Sequence, residues 1–316
     1  MRSRDLIGYG GRPPAIIWPN GARVAVSLVV NFEEGAELSI GDGDDENERI
    51  GEIISVVEPG RRDLGQEEMF AYGMRAGLWR FLDALARHNR ASTFFMCGRA
   101  MERAPQLAAE IVARGHEPAC HGWLWRPHAD FADPIEEKAS LIRCIDIARK
   151  TTGERPLGFF CRGSQSPHTR ALLAELGFLY DSNGFDDDLP YFAAVGDGRM
   201  LIVPYALDCN DMKFFHPNGF VEPDQFVRYT QAALSTLLDE AELGRSSVLN
   251  IGFHLRICGR PARFAAVKGI LSLLDQLGER VWVARRVDLA RHWLASVGEE
   301  RAPGAETFHS CRRTQP

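Results

Sequence analysis

The amino-acid sequence predicts an α/β fold, a distorted and nearly closed (β/α) barrel of about seven mostly parallel strands. Three observations predict it. Short apolar runs alternate with segments of helical periodicity along the chain, the pattern of repeated βα units with right-handed crossovers. The run Val24-Ala25-Val26-Ser27-Leu28-Val29-Val30 is apolar on both parities, as a strand covered on both faces requires. A chain of 316 residues with 45% hydrophobic and 25% charged residues can bury a large core without cross-links.

The elements follow in order. Residues 1–22 carry Gly8, Gly10, Gly11, Pro13, Pro14 and Pro19 and read as a surface arm. Residues 23–297 read as one domain, and 298–316 as a polar, frayed tail. After the first strand, a polar stretch at 37–66 lacks periodicity, and a loop that long is usually functional or used in assembly. Apolar residues at helical spacing place helices at 67–88, 106–114, 134–150, 169–176, 223–238, 261–277 and 288–295. Between them, strands are expected at 92–97, 117–121, 158–162, 201–207, 247–254 and 281–284.

The charge sum of 37 basic against 43 acidic residues, −6 in all, excludes the usual nucleic-acid footprint and a polybasic membrane anchor. No stretch approaches the ~18 uninterrupted apolar residues of a membrane span. The amino-terminal segment has no apolar core of a secretory signal, and the seven cysteines include no C-x-x-C pair. Both point to free thiols in a reducing cytoplasm.

In parallel α/β folds reactive groups collect at the carboxyl ends of strands. The first strand delivers Asn31, Glu33 and Glu34. On an extended backbone one of the two acids faces the barrel mouth while the other packs sideways against an arginine. The third strand ends in His121, followed by Trp123 and Trp125. The fourth delivers Arg162, Ser164 and Gln165. Asp208, Asn210 and Asp211 follow the strand at 201–207. The strand at 247–254 ends in His254, with Arg256 beyond it. Acid, imidazole and guanidinium arriving together from separate strands mark a site.

These strand ends resemble the polysaccharide deacetylase (carbohydrate esterase) family. Phe32-Glu33-Glu34-Gly35 stands for its aromatic-Asp-Asp-Gly motif, His121 opens its His-x-x-x-His motif, Arg162 matches its motif arginine, and Ile251-Gly252-Phe253-His254 its last strand end. The runs Asn31–Gly35, Cys120–Trp123, Tyr180–Ser182, Asp187–Tyr191, Asn210–Met212 and Gly259–Arg263 are similar to those of the metal-independent allantoinases within it. The similarity covers nearly the whole chain and implies the deacetylase-type barrel. Metal-binding members use an acid and two histidines at the positions of Glu34, His121 and Trp125. An indole N–H is only a donor, so the resemblance implies no cofactor unless His128 or Glu33 supplies another ligand. The third motif departs from both patterns, reading Arg162-Gly163-Ser164-Gln165-Ser166-Pro167.

The resemblance further implies a hydrolase that opens a cyclic amide, allantoin or a related hydantoin-like ureide. The alternatives are a cyclic imide hydrolase or a metal-dependent deacetylase of an N-acetylated sugar. In this reading Glu33 is the base and Glu34 orients His121. Arg162 holds Glu33 ionised or polarises the carbonyl, and His254 protonates the leaving nitrogen. Trp123 and Trp125 form a flat wall, and Ser164, Tyr191, Asn210 and Asp211 line the substrate. A homotetramer and a place in purine catabolism are expected on the same ground.

Overall fold

The computed structural model describes residues 4–297, so the expected tail at 298–316 lies outside the described residues. Nine strands are present among them: β1 (Val24–Phe32), β2 (Thr93–Met96), β3 (Glu117–Cys120), β4 (Gly158–Phe159), β5 (Tyr180–Asp181), β6 (Tyr191–Val195), β7 (Gly198–Ile202), β8 (Ser247–His254) and β9 (Val281–Val283). The helices are α1 (Leu64–Tyr72), α2 (Leu78–Arg87), α3 (Gly98–Arg103), α4 (Pro105–Ala113), α5 (Pro134–Thr152), α6 (Thr169–Glu175), α7 (Pro223–Glu242), α8 (Phe264–Leu277) and α9 (Arg286–Val297).

One curled sheet holds all the strands, in the order β6-β7-β5-β4-β3-β2-β1-β8, with β9 beside the first residues of β1. Every ladder is parallel except β6–β7. Seven strands overlap the runs that predict them, but the expected strand at 201–207 is strand only at Leu201 and Ile202, and that at 158–162 only at Gly158 and Phe159. The other two escape the pattern for different reasons. Strand β5 has two residues, too few to show a period. Strand β6 is half-buried and returns against β7 through a turn at Gly196, whose φ of 54° suits glycine.

All nine residues of β1 are buried, and their alternation divides them between two cores. Val24, Val26, Leu28, Val30 and Phe32 pack outward against the helices. Ala25 and Val29 point inward, toward Phe95, Ala119, Phe160 and Tyr205. The same alternation sends Glu33 inward and Glu34 outward at the strand end. Register aligns Asn31 with His254 on β8 and Met96 with Cys120, so Glu33, His121 and His254 emerge at one level.

Between β7 and β8 no ladder continues the sheet. Segment 203–211 occupies the gap, held by Gly252 N–H to Cys209 O (2.9 Å), by Ala206 N–H to the Asn250 side chain, and by one bridge between Asn210 and Gly252.

Two expected coils are packed instead. In the amino-terminal arm Ile16 and Trp18 are buried, Trp18 stacks on Trp282 of β9 at 5.9 Å, and Ser246 Oγ donates to Ile16 O. A single indole offers enough apolar surface to override the Gly/Pro signal around it. The polar loop after β1 is pinned by Arg99 of α3, which donates to Gly35 O (3.1 Å), Asp44 (3.0 Å) and Glu37 O.

Helices α1 and α2 join through a π turn, Gly73–Gly77, pressed against the ends of β1 and β8. A Cβ on Gly73 would lie 2.3 Å from Glu34 Oε1, and one on Gly77 2.2 Å from Leu255 O. Only glycine permits this approach. None of the helices among the described residues is long and apolar enough to cross a membrane.

Candidate active site

A cleft of about 690 Å³ opens at the carboxyl ends of the strands, with Asn31, Glu33, His121 and His254 at its floor. Glu33, 1% exposed, is the meeting point. Its Oε1 stands 3.1 Å from His121 Nε2 and 3.4 Å from His254 Nε2, and its Oε2 accepts from Arg256 Nη1 at 2.6 Å. Both imidazoles are fixed from behind. His121 Nδ1 donates to Phe160 O at 2.5 Å, and His254 Nδ1 donates to Asp211 Oδ1 at 2.6 Å. Asp211 Oδ2 also accepts the backbone N–H of His254 (2.8 Å) and of Cys258 (3.2 Å).

Charge follows from this geometry. Burial alone pushes the Glu33 carboxyl up, but the charges of His254 and Arg256, with hydrogen bonds from His121 and His254, hold it well below the usual carboxylate range. Burial pulls His254 down; the carboxylates of Glu33 and Asp211 outweigh it and raise the imidazole to about 9. At neutral pH the floor therefore carries an ionised Glu33 beside a protonated His254.

Several expected roles change hands. Arg162 does not reach Glu33. Its Nη1 and Nη2 pair with Glu48 at 2.5 and 3.1 Å, and its guanidinium lies 3.7 Å from the Trp125 ring centre. Arg256 takes the place beside Glu33, because β8 lies directly next to β1 in the sheet. Glu34 does not orient His121. On the outer face of β1 its Oε1 accepts the Arg256 backbone N–H at 3.0 Å, and burial raises its carboxyl to about 7.

Trp123 faces a separate pocket, where Arg143 packs 3.4 Å from its ring centre. Ser164 is exposed, its hydroxyl on Gln165 O, and Tyr191 is tied to Asp186 at 2.6 Å. Neither lines the cleft: the loop leaves the wall after Gly163, and Tyr191 sits on the hairpin β6–β7. Asp211 holds His254 and is absent from the cleft wall. Asn210 does line it, donating to Tyr205 Oη at 2.9 Å. Trp125 lines it too, but its ring packs against Arg162 and, at 4.5 Å, Arg256.

Sequence reading missed the roles of Arg256, Glu48 and Tyr205. Arg256 stands two residues beyond a histidine already singled out, on the same parity, which was the available signal. Nothing local marks Glu48, whose partner is 114 residues away.

The residues at the family's metal positions do not fit a cation. Glu34 turns away from the cleft, and both nitrogens of His121 are engaged. The Trp125 N–H cannot ligate, and Arg256 brings its own positive charge to Glu33. His128, the other candidate ligand, is buried on Glu137 at 2.9 Å. Among the described residues no group of three or more His, Cys, Asp or Glu is arranged to hold a metal.

A parallel-dominated curled barrel with an acid, two imidazoles and an arginine at its strand ends defines a hydrolase of the deacetylase class. The chain belongs to the polysaccharide deacetylase family. A polysaccharide deacetylase-like protein of Schizosaccharomyces pombe is 33% identical over 93% of this chain and 97% of its own length. The family model described as Polysaccharide deacetylase matches residues 69–180. Among solved structures, a polysaccharide deacetylase-type protein of Pseudomonas aeruginosa PAO1 is 40% identical, with a TM-score of 0.87 over 93% of this chain and 98% of that one. The crystal structure of PuuE allantoinase is equally similar, at 40% identity and a TM-score of 0.87 over 94% and 98%.

Proposed function

We propose that the protein hydrolyses a cyclic amide, allantoin or a related hydantoin-like ureide, by attack of water without a metal. The observation that carries the reading is the Glu33 carboxylate fixed between two imidazoles and Arg256, while an indole stands where a second metal-binding histidine would be. The allantoinase structure among the neighbours supports the substrate class.

Glu33 takes a proton from water as its oxygen bonds to the ring carbonyl carbon. The tetrahedral intermediate collapses with cleavage of the C–N bond, and His254 Nε2 gives its proton to the departing nitrogen. The product is a ring-opened carboxylic acid that ionises into solvent. A carboxyl as acidic as Glu33 is a weak base, suited to hold the proton briefly and return it to His254, 3.4 Å away. His121 keeps the carboxylate in register. Asn31 lines the cleft beside the proposed acid, its side-chain amide 3.3 Å from His254 Nε2.

The names of the relatives support a second reading, deacetylation of an N-acetylated sugar. A panel of allantoin, hydantoin, dihydrouracil, succinimide and N-acetylglucosamine oligomers, assayed before and after exhaustive chelation, separates the two. Ring opening that survives chelation is expected. Deacetylation abolished by chelation overturns the proposal, and preference for succinimide moves it to cyclic imides. Assembly as a homotetramer is part of the same proposal, supported by the exposed apolar run Ile53, Ile54 and Val56, and light scattering tests it.

A further inference from the structure

The cleft contains a cation that its surroundings cancel. Arg162 lines the wall, yet its guanidinium is held bidentately by Glu48, itself 5% exposed, and donates also to Trp125 O at 3.2 Å. Glu48 is fixed in turn: its Oε1 accepts the backbone N–H groups of Arg49 and Ile50, each at 2.8 Å. Of the five guanidinium N–H bonds, three are used by these partners and two have no acceptor among the described residues. Arg162 therefore lines the cleft with two unclaimed N–H groups and no net charge.

The charges at the catalytic floor are paired in the same way. His254 faces Glu33 and Asp211, and Arg256 faces Glu33. Lys213 and Asp208 stand around one ring, Lys213 Nζ 5.3 Å from the Tyr229 centre and Asp208 accepting from the Tyr229 hydroxyl at 3.0 Å. A free arginine would pair with a substrate carboxylate in the bidentate geometry that guanidinium and carboxylate share. Here an internal carboxylate already occupies it.

We infer that Glu48 is a specificity determinant: by occupying Arg162 it makes the cleft select uncharged cyclic amides, whose carbonyls the two remaining N–H groups can read, over rings that bear a carboxylate. The inference rests on the proposed ring-opening activity and names its substrate class. A carboxylated ring that used Arg162 would have to displace Glu48 and leave it buried without its cation, a repulsive element of the kind that sets specificity.

The test is E48Q, which keeps the shape of the side chain and the acceptor for Arg49 and Ile50 but removes the charge. Hydantoin and hydantoin-5-acetate form a matched pair differing by one carboxylate. Turnover is read as kcat/KM for each, and binding of each is measured by calorimetry. Wild type should favour hydantoin. In E48Q the ratio of the carboxylated to the neutral ring should rise about tenfold or more, chiefly through KM, as a charge-assisted contact becomes available. The double variant E48Q/R162M should lose that gain.

An unchanged ratio in folded E48Q overturns the inference, as does a gain that persists without Arg162. If wild type opens neither these rings nor allantoin, the proposed function fails, and the calorimetric ratio still decides the role of Glu48.

Discussion

Replacing Asp211 with asparagine tests the electrostatics on which the proposed chemistry depends. His254 lies at about 9 rather than 6.5 because two carboxylates face it, Glu33 at 3.4 Å and Asp211 at 2.6 Å. That displacement corresponds to about 3 kcal/mol of preference for the imidazolium. The amide in D211N would keep the shape and lose one charge, and one adjacent charge shifts a group on the order of one to two pH units. The proposed acid works only when protonated, so kcat for ring opening should fall as pH rises through about 9 in the wild type. In D211N the fall should come at lower pH, with kcat near neutrality much less affected than at the alkaline end.

Stability should follow the same sign. A folded-state value raised above the unfolded one contributes fully below about 6.5 and is lost as pH rises through about 9. Denaturant unfolding should show the wild type losing about 3 kcal/mol from this group across that window, and D211N losing less. An alkaline limb that stays at the wild-type position in D211N would refute the assignment of His254 as the acid poised by Asp211.

The remaining predictions concern the same floor. Glu33→Gln should lower kcat about 10²–10⁴-fold in steady-state assays, the usual weight of general acid–base catalysis; near-normal turnover would remove Glu33 from the chemistry. Arg256→Met takes the guanidinium away from buried Glu33 and Glu34, leaving Glu33 with the His254 imidazolium alone, and should cost about 3–5 kcal/mol in urea unfolding. In the same variant Glu33 loses a charge that depresses it, so the acid limb of kcat should move to higher pH. Gly73→Ala places a Cβ 2.3 Å from Glu34 Oε1 and 2.9 Å from the Arg256 backbone nitrogen. Overpacking of that kind costs about 1–3 kcal/mol, read from thermal melts, and activity should drop with it because Arg256 is displaced.

The barrel was legible because its signals are local and redundant. The apolar run of β1, the uninterrupted run of β8 and the helical spacing of α7 and α8 each announce themselves within one window. The candidate site was legible where parity decides it: adjacent acids must diverge, and Glu33 and Glu34 do. It was illegible where partners come from afar. A sequence does not say which of two arginines reaches Glu33, because the answer lies in strand order, β8 next to β1, rather than in either motif. Trp18 was masked for a related reason, since the Gly and Pro around it describe the local backbone and not the indole's burial against β9.

The acid's anchor hangs from an irregular seam of the barrel. Asp211 closes the irregular strip that fills the gap between β7 and β8, where two main-chain contacts and one amide side chain do the work of a ladder. Such strips breathe at free energies well below that of melting the whole molecule. If the seam opens first on warming, His254 loses its anchor while the helices are intact, and activity measured against far-UV circular dichroism should fade before helical signal does.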